Sequence, residues 1–580
     1  MNIVQTYARQ SSASINAKDV HFDIAQELSR ENGVSIYAMV NHSLDYARIM
    51  LALQQVVVGD WRTPRRDVAA YQEWVTQQYK QELPQYFGSQ DSARLVLYNE
   101  LEEANKRINA INLELMPVID KAENARRDYY NYLYHHDREK WIVLDPVISV
   151  HPDSVIFEAF SIDESSYARV TVPKDNLDIM GDMVCGTTNI DFSRDLVKEF
   201  QRVRNYRPAW IKVERDAVEL STDLDSVVEK KIDLPLTWIR GFLQVQSASV
   251  LPGTSLQLSA ETVNLVLSHL TRNRAKESPR SLRFILKKGK KPTIIIDPWG
   301  LEVPEYQHTY QDVFEGEIRI WGRRRLMVLK DLLPFADRLS VRLMGTGMPS
   351  YWSLSMSGHR FDLGLSGWTA NDWAAKANFS IMAATDPGEE TDIDSLSEYL
   401  RTKLMSTIKE AAKKLRISNR AAAYGLQLLC EQGQAMYDPT CDLYRWRQLI
   451  DQFKDGDTLV TTLFQPGTDG TRTDISSIKT GEDKRMTYAK KLVHDNCVKI
   501  IESTDTEKAT IYKMEVVGRD EKIFKPDFHV DLDGRISVAS CTCSFFRLNK
   551  LRKGPCNHIG ASILFINDDN SKEQGVQSEP

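Results

Sequence analysis

Cys541-Thr542-Cys543-Ser544-Phe545-Phe546-Arg547-Leu548-Asn549-Lys550-Leu551-Arg552-Lys553-Gly554-Pro555-Cys556-Asn557-His558 brings three of the chain's seven cysteines and one histidine within 18 residues. The two pairs supply three thiolates and one imidazole, the donor number and donor types that tetrahedral Zn2+ takes in a closed structural site. Cys541, Cys543, Cys556 and His558 are therefore read as metal ligands, with Zn2+ as the cofactor and no catalytic role.

The flanks agree with that reading. Phe528–Leu532 and Arg535–Val538 alternate apolar and polar residues around Asp533-Gly534, a dipeptide that favours a tight hairpin turn. The second strand runs straight into Cys541. After Cys556, Ile559, Ile563 and Phe565-Ile566 continue at helical length, so the second ligand pair is expected to open a helix. A ββα unit this small depends on its metal for folding energy.

A CxC pair, a spacer of 12 residues and a CxH pair after a hairpin resemble the SWIM zinc finger family, over about residues 525–567. The resemblance implies that the metal ligands are the four residues named above, and that the module binds DNA or other proteins. It implies no reaction.

The whole chain bounds the remainder. It has 580 residues, 42% hydrophobic and 27% charged, which suits several folded domains. Met1–Phe22 has no apolar core, and nowhere do 18 consecutive apolar residues occur, so no membrane association is expected. Cys185, Cys430, Cys441 and Cys497 are scattered and the cysteine total is odd, which suggests a reducing, cytoplasmic setting. A net charge of -6 argues against coating nucleic acid along the whole length, leaving local basic patches as the possible contacts.

The expected fold class is α+β multidomain. Residues 1–140 are expected to form a helical region: Leu97, Leu101, Ala104, Ile108, Ile111, Leu115 and Val118 follow a heptad rhythm, a coiled-coil-like seam. A second stripe, Ile36, Val40, Leu44, Ala47 and Leu51, is the expected intramolecular partner. Residues 141–232 and 233–384 read as two mixed α+β units, the latter Trp-rich. Linkers are expected near Thr385–Asp392 and Gln465–Asp483, with a C-terminal domain over 480–567 and a disordered tail over 568–580.

Residues 393–450 carry the second signal. Thr407–Leu415 reads as a short helix, Asn419–Gln432 as a longer one, and Gln434–Arg447 as a two-stranded wing. That order resembles a winged-helix domain. In such a module Asn419, Arg420, Tyr424 and Gln427 would meet the DNA major groove, and Arg445 and Arg447 the phosphates. A protein-docking or purely structural role stays open for the same elements. In the finger's spacer, Arg547, Lys550, Arg552 and Lys553 stand without an acid from Thr542 to Pro555; they are candidate phosphate contacts, or the solvated side of a metal loop.

No GxxxxGK[ST] loop, GxSxG elbow or HExxH helix is present, so a non-enzymatic protein is expected. Arg323-Arg324-Arg325 is expected on an exposed strand or turn. The finger together with Leu363–Thr369 also resembles bacterial SWIM-domain proteins that accompany MoxR-type AAA ATPases and von Willebrand A-domain proteins, which implies an adaptor with an ATPase partner. Nucleic-acid binding is the leading expectation and the protein adaptor its alternative.

Overall fold

A computed structural model describes residues 2–6, 12–15, 20–25, 34–59, 107, 146–189, 194–206, 209–214, 231–277, 279–367, 373, 379, 382, 391–449, 484–506, 509–518, 522–531, 536–551 and 554–576. Met1–Asp67 and Asp145–Pro580 form one compact unit, and Val68–Leu144 another, described only at Arg107. The heptad seam falls in the second unit and lies outside the described residues.

The centre of the first unit is an eight-stranded antiparallel sheet. Its strands run in the order Thr254–Leu258, Arg338–Leu343, Ser350–Met356, His359–Leu365, Ser166–Pro173, Ser154–Phe160, Val147–His151 and Gly186–Asn189. The segments expected as separate units, 141–232 and 233–384, therefore share one sheet. The join is the pairing of His359–Leu365 with Ser166–Pro173, where Leu363 stands opposite Ala168. Both strands are rich in buried apolar residues, and nothing in their spacing tells a local partner from one almost 200 residues away.

Side chains alternate across a strand, so the sheet has two different covers. His359 faces helix α1 (Ser43–Val57), where its ring lies 6.1 Å from that of Tyr46. Helix α2 (Arg194–Arg202) joins the same layer through the edge contact of Tyr46 with Phe200. The opposite face takes helix α3 (Leu236–Ser249), which sets Trp238 and Phe242 on Phe160 and accepts the Tyr351 hydroxyl hydrogen at Val245 O, 3.0 Å away. Gly241 permits this approach, because a Cβ there would stand 2.9 Å from Phe160 Cζ.

The N-terminal region is not helical throughout. Ser12–Ile15, Val20–Ala25, Ala209–Glu214, Ile36–Val40 and Leu177–Ile179 form a five-stranded sheet, and Asn2–Thr6 pairs with Lys231–Pro235. Ile36, Ala38 and Val40 are buried while Tyr37 and Met39 are half-buried. Ile36, Val40 and Leu44 are spaced by four, which fits a strand's period of 2 as well as a helix's 3.6; the helix begins only at Ser43, and its buried face, Tyr46, Ile49, Met50 and Leu53, packs on the eight-stranded sheet. Of the stripe's helical members Ala47 is buried while Leu44 and Leu51 are half-buried, and the heptad seam expected to cover it lies outside the described residues.

Helix α4 (Ala260–Arg272) starts where Ser259 accepts a hydrogen bond from Thr262 N. It borders a four-stranded sheet ordered Leu301–Pro304, Thr293–Ile296, Leu282–Leu286 and Gly316–Ile320. The arginine triplet is not an exposed turn face. Arg323–Asp331 is a 3-10 helix in which Arg323 and Arg325 are buried, and Arg325 donates to Ser366 O at 2.7 Å and to Ser366 Oγ at 3.0 Å. Those carbonyl and hydroxyl acceptors take the place of solvent.

Helices α5 (Ile393–Lys403), α6 (Ile408–Leu415) and α7 (Asn419–Glu431) precede the hairpin Ala435–Asp438/Leu443–Trp446, which Met405–Ser406 extends to three strands. Caps explain their starts: Asp392 accepts from Ser395 N, Thr407 and Glu410 form a capping box, and Ser418 accepts from Ala421 N. The order is as expected, but the surface is not free. Helix α7 is buried along most of its length and packs on α3, and Tyr437 N donates to Gln246 Oε1 at 2.7 Å.

Charge locks this module to the sheet. Register places Glu158, Arg169 and Asp362 in one row across three strands. Asp438 of the hairpin accepts from Arg169 at 3.0 Å and from Arg360 at 2.6 Å, while Arg447 donates to both Glu158 oxygens at 2.9 and 2.8 Å. Burial would push the Asp438 carboxyl up, but the Arg169 and Arg360 guanidiniums outweigh it and hold the group well below the usual carboxylate range. Arg447 and Glu158 are both fully buried. Arg447→Ala should therefore destabilise the protein by about 3–5 kcal/mol, because Glu158 would be left charged without its cation; urea titration of the variant against wild type measures it.

Acid should weaken both faces of this sheet. Burial, reinforced by the Arg445 guanidinium, pushes His151 down from 6.5 to about 3, and burial pushes His359 down to about 4. Both are neutral in the folded chain and take up protons on unfolding below pH 6.5. Their contribution is complete above that value and falls as pH drops toward the folded values, by up to about 1.4 kcal/mol per pH unit for each histidine. Urea midpoints recorded between pH 7 and 4 should decline accordingly.

Candidate zinc centre

The hairpin expected before the ligands is present as Asp527–Asp531 paired with Ile536–Ser540; its turn lies outside the described residues. It is the outer half of a larger antiparallel sheet, in which Val498–Asp505 and Ala509–Val517 precede it and Ile523–Phe524 pairs with Val516-Val517. Helix α8 (Lys484–His494) packs against the C-terminal helix. The finger is therefore built into a mixed domain, and is not a separate ββα unit.

Two further helices complete it. Cys543 caps the short helix α9 (Ser544–Asn549), which occupies the spacer. Cys556 immediately precedes α10 (Asn557–Val576), so the second pair does open a helix, and Ile559, Ile563 and Ile566 are buried along it. The tail expected to be disordered from 568 is helical to Val576. Once the apolar first turns fix the helix, each added residue gains a hydrogen bond for little further ordering.

The four donors converge. Cys541 Sγ, Cys543 Sγ, Cys556 Sγ and a His558 ring nitrogen all lie within 4.8 Å of one another, and all four residues are buried. A tetrahedron with Zn–S bonds near 2.3 Å has donor-to-donor edges of about 3.8 Å, and Cys541 Sγ to His558 Nδ1 is 3.9 Å. The set therefore fits Zn2+. Backbone N–H groups support the sulfurs: Phe546 N donates to Cys543 Sγ at 3.3 Å and Ile559 N to Cys556 Sγ at 3.5 Å.

An outer contact was not legible beforehand. Phe524 stacks on His558 with ring centroids 4.0 Å apart and planes at 23°. Gly518 keeps the stack close, since a Cβ there would stand 2.6 Å from the Phe524 ring. Such packing fixes the imidazole's orientation, as partners around a metal ligand commonly do.

The residues expected to touch nucleic acid divide. Arg445 is buried on Asp153, at 2.9 Å through its second nitrogen, and Arg447 on Glu158. Gln427 is buried as well, while Asn419 is exposed and Arg420 half-buried. Arg445 and Arg447 are thus corrected from phosphate contacts to internal ion-pair partners; sequence shows their charge but not the carboxylates, from almost 300 residues upstream, that claim them. Arg547 and Lys550 are half-buried on the spacer, with the Lys550 ammonium 5.7 Å from the Phe546 ring centroid. Arg552 and Lys553 lie outside the described residues.

Residues 528–567 match the SWIM zinc finger family. With the donor cluster inside that span, zinc binding follows for this part of the chain. No curated protein matches the chain. Among solved structures it is similar to the proliferating cellular nuclear antigen of Entamoeba histolytica, at 10% identity and a TM-score of 0.28, over 38% of this chain and 89% of that one. The corresponding protein of Thermococcus kodakaraensis gives 11%, 0.25, 38% and 89%, and a PCNA2–PCNA3 complex of Sulfolobus tokodaii 10%, 0.26, 41% and 93%. Scores this low carry no argument about fold or function. Among the described residues, no helix is long and apolar enough to cross a membrane.

Purified protein should carry one equivalent of zinc by elemental analysis. Cys541→Ser or Cys556→Ser should abolish it and expose the amides of α9 and the start of α10 to hydrogen exchange, with protection of the eight-stranded sheet unchanged.

Proposed function

We propose that the chain is a zinc-dependent, non-enzymatic nucleic-acid-binding protein whose contact surface is the finger together with helix α8. The supporting observation is Arg485 of α8. Its guanidinium lies 4.9 Å from the Phe545 ring centroid, and its NH1 donates to Pro555 O at 3.4 Å, so one side chain bridges α8 to both ends of the spacer. Helix α8 has four basic residues other than histidine, Lys484, Arg485, Lys490 and Lys491, and no acid; Lys490 and Lys491 are exposed. Together with Arg547 and Lys550 on the acid-free spacer, these are the basic residues that this reading assigns to phosphate, on a chain of net charge -6. Phosphates are the matching partner.

The buried helix α7 moves this contact away from 393–450, whose role in this reading is to complete the core. A reducing cytoplasm suits three thiols that must stay reduced to hold zinc. A second reading, the protein adaptor working with a MoxR-type ATPase, is favoured by apolar side chains exposed on the same domain: Ile523, Val538 and Leu548 at 55%, 52% and 45%.

Fluorescence anisotropy with a labelled duplex separates the two. Under the nucleic-acid reading, affinity falls steeply with salt, Lys490→Ala/Lys491→Ala lowers the logarithmic salt slope by about 2, and chelation of zinc abolishes binding. Absence of binding at low salt, with a specific protein retained on the zinc-loaded domain after nuclease treatment, would establish the adaptor instead.

A further inference from the structure

A second cationic site stands on the four-stranded sheet. The hairpin between Leu282–Leu286 and Thr293–Ile296 turns through Lys287-Lys288-Gly289-Lys290-Lys291, with all four lysines exposed. Among the described residues none of the four takes part in an ion pair; the nearest acid interaction is Glu315 accepting from the backbone N–H of Lys288 at 3.2 Å. Four like charges in five residues repel one another, and a hairpin needs only Gly289, at φ +74°, to turn.

The tip is held firmly against the segment Glu305–Tyr310. Gly289 N donates to Tyr310 O and Tyr310 N to Lys290 O, each at 2.9 Å, and Lys291 Nζ donates to Tyr306 O. That segment is itself anchored by the buried carboxylate of Glu305, which accepts from Ser259 N at 2.9 Å, Gln307 N at 2.8 Å and His308 N at 3.2 Å. The outcome is an aromatic side chain, Tyr306, left 52% exposed beside Lys291. An exposed ring on a backbone held against a cluster of lysines is the combination that binds single strands, since the charges follow phosphates while a base stacks on the ring. A duplex keeps its base faces hidden.

We propose that the Lys287–Lys291 hairpin and Tyr306 form a binding site for single-stranded nucleic acid. The site stands on its own residues and does not depend on the finger.

The test uses full-length, zinc-loaded protein and fluorescence anisotropy with a labelled short oligo-dT and a duplex of equal length. Lys288→Ala/Lys290→Ala should lower the logarithmic salt slope for oligo-dT by about 1.4. Tyr306→Ala should weaken oligo-dT about tenfold and leave the duplex unchanged. Zinc content and melting temperature should stay at wild-type values in both variants, which excludes misfolding as the cause. The proposal is overturned if both variants bind oligo-dT with wild-type affinity and slope, or if Tyr306→Ala weakens the duplex equally. Lys490→Ala/Lys491→Ala supplies the separating arm: loss only there leaves the finger reading and removes the hairpin, and loss only in the hairpin variants does the reverse.

Discussion

A buried row of charge organises the larger part of this molecule. Glu158, Arg169 and Asp362 stand side by side across three strands of the eight-stranded sheet, on a face that water does not reach. Isolated charges in such a place are very unfavourable. The row is neutralised by residues from the hairpin at 435–446 and just beyond it, Asp438 and Arg447, with Arg360 from the neighbouring strand position. Three acids meet three arginines, so the helices before that hairpin cannot leave without exposing or stranding charge.

That constraint explains why a helix-turn-helix-wing order does not present a reading helix. The segment satisfies the core's electrostatic needs with the same arginines that would have met phosphates, and α7 spends its apolar faces on α3. Ion pairs as deeply buried as Arg447 with Glu158 contribute little net stability compared with apolar packing, but they are selective. Here the selectivity is for one docking geometry between distant parts of the chain.

The zinc centre solves a different problem at the other end. Its four donors come from a strand end, a spacer and a helix start. Coordination ties these three segments together where the buried side chains of α10, Ile559, Ile563 and Ile566, meet the sheet domain. The surrounding sheet and α8 then add what the ligands alone do not specify: Phe524 on His558, and Arg485 across the spacer. Arg485, more than 50 residues upstream, is thereby brought against the spacer of the metal site.

The ligands, the hairpin before them and the helix after them could be read from residue types and spacing, because metal coordination and tight turns are local and demand particular side chains. Helix starts at Ser259, Thr407 and Ser418 were legible for the same reason, each capping its own first turn. The strand at Ile36–Val40 was not, since a spacing of four suits either period, and only pairing with Ala209–Glu214 chooses between them. Nor could sequence tell that residues 147–189 and 254–365 share a sheet, or that Arg445 and Arg447 turn inward, because burial and the choice of a distant partner are decided by the assembled core. Local chemistry fixed the metal site; long-range packing decided which of the chain's charges remain available to a ligand.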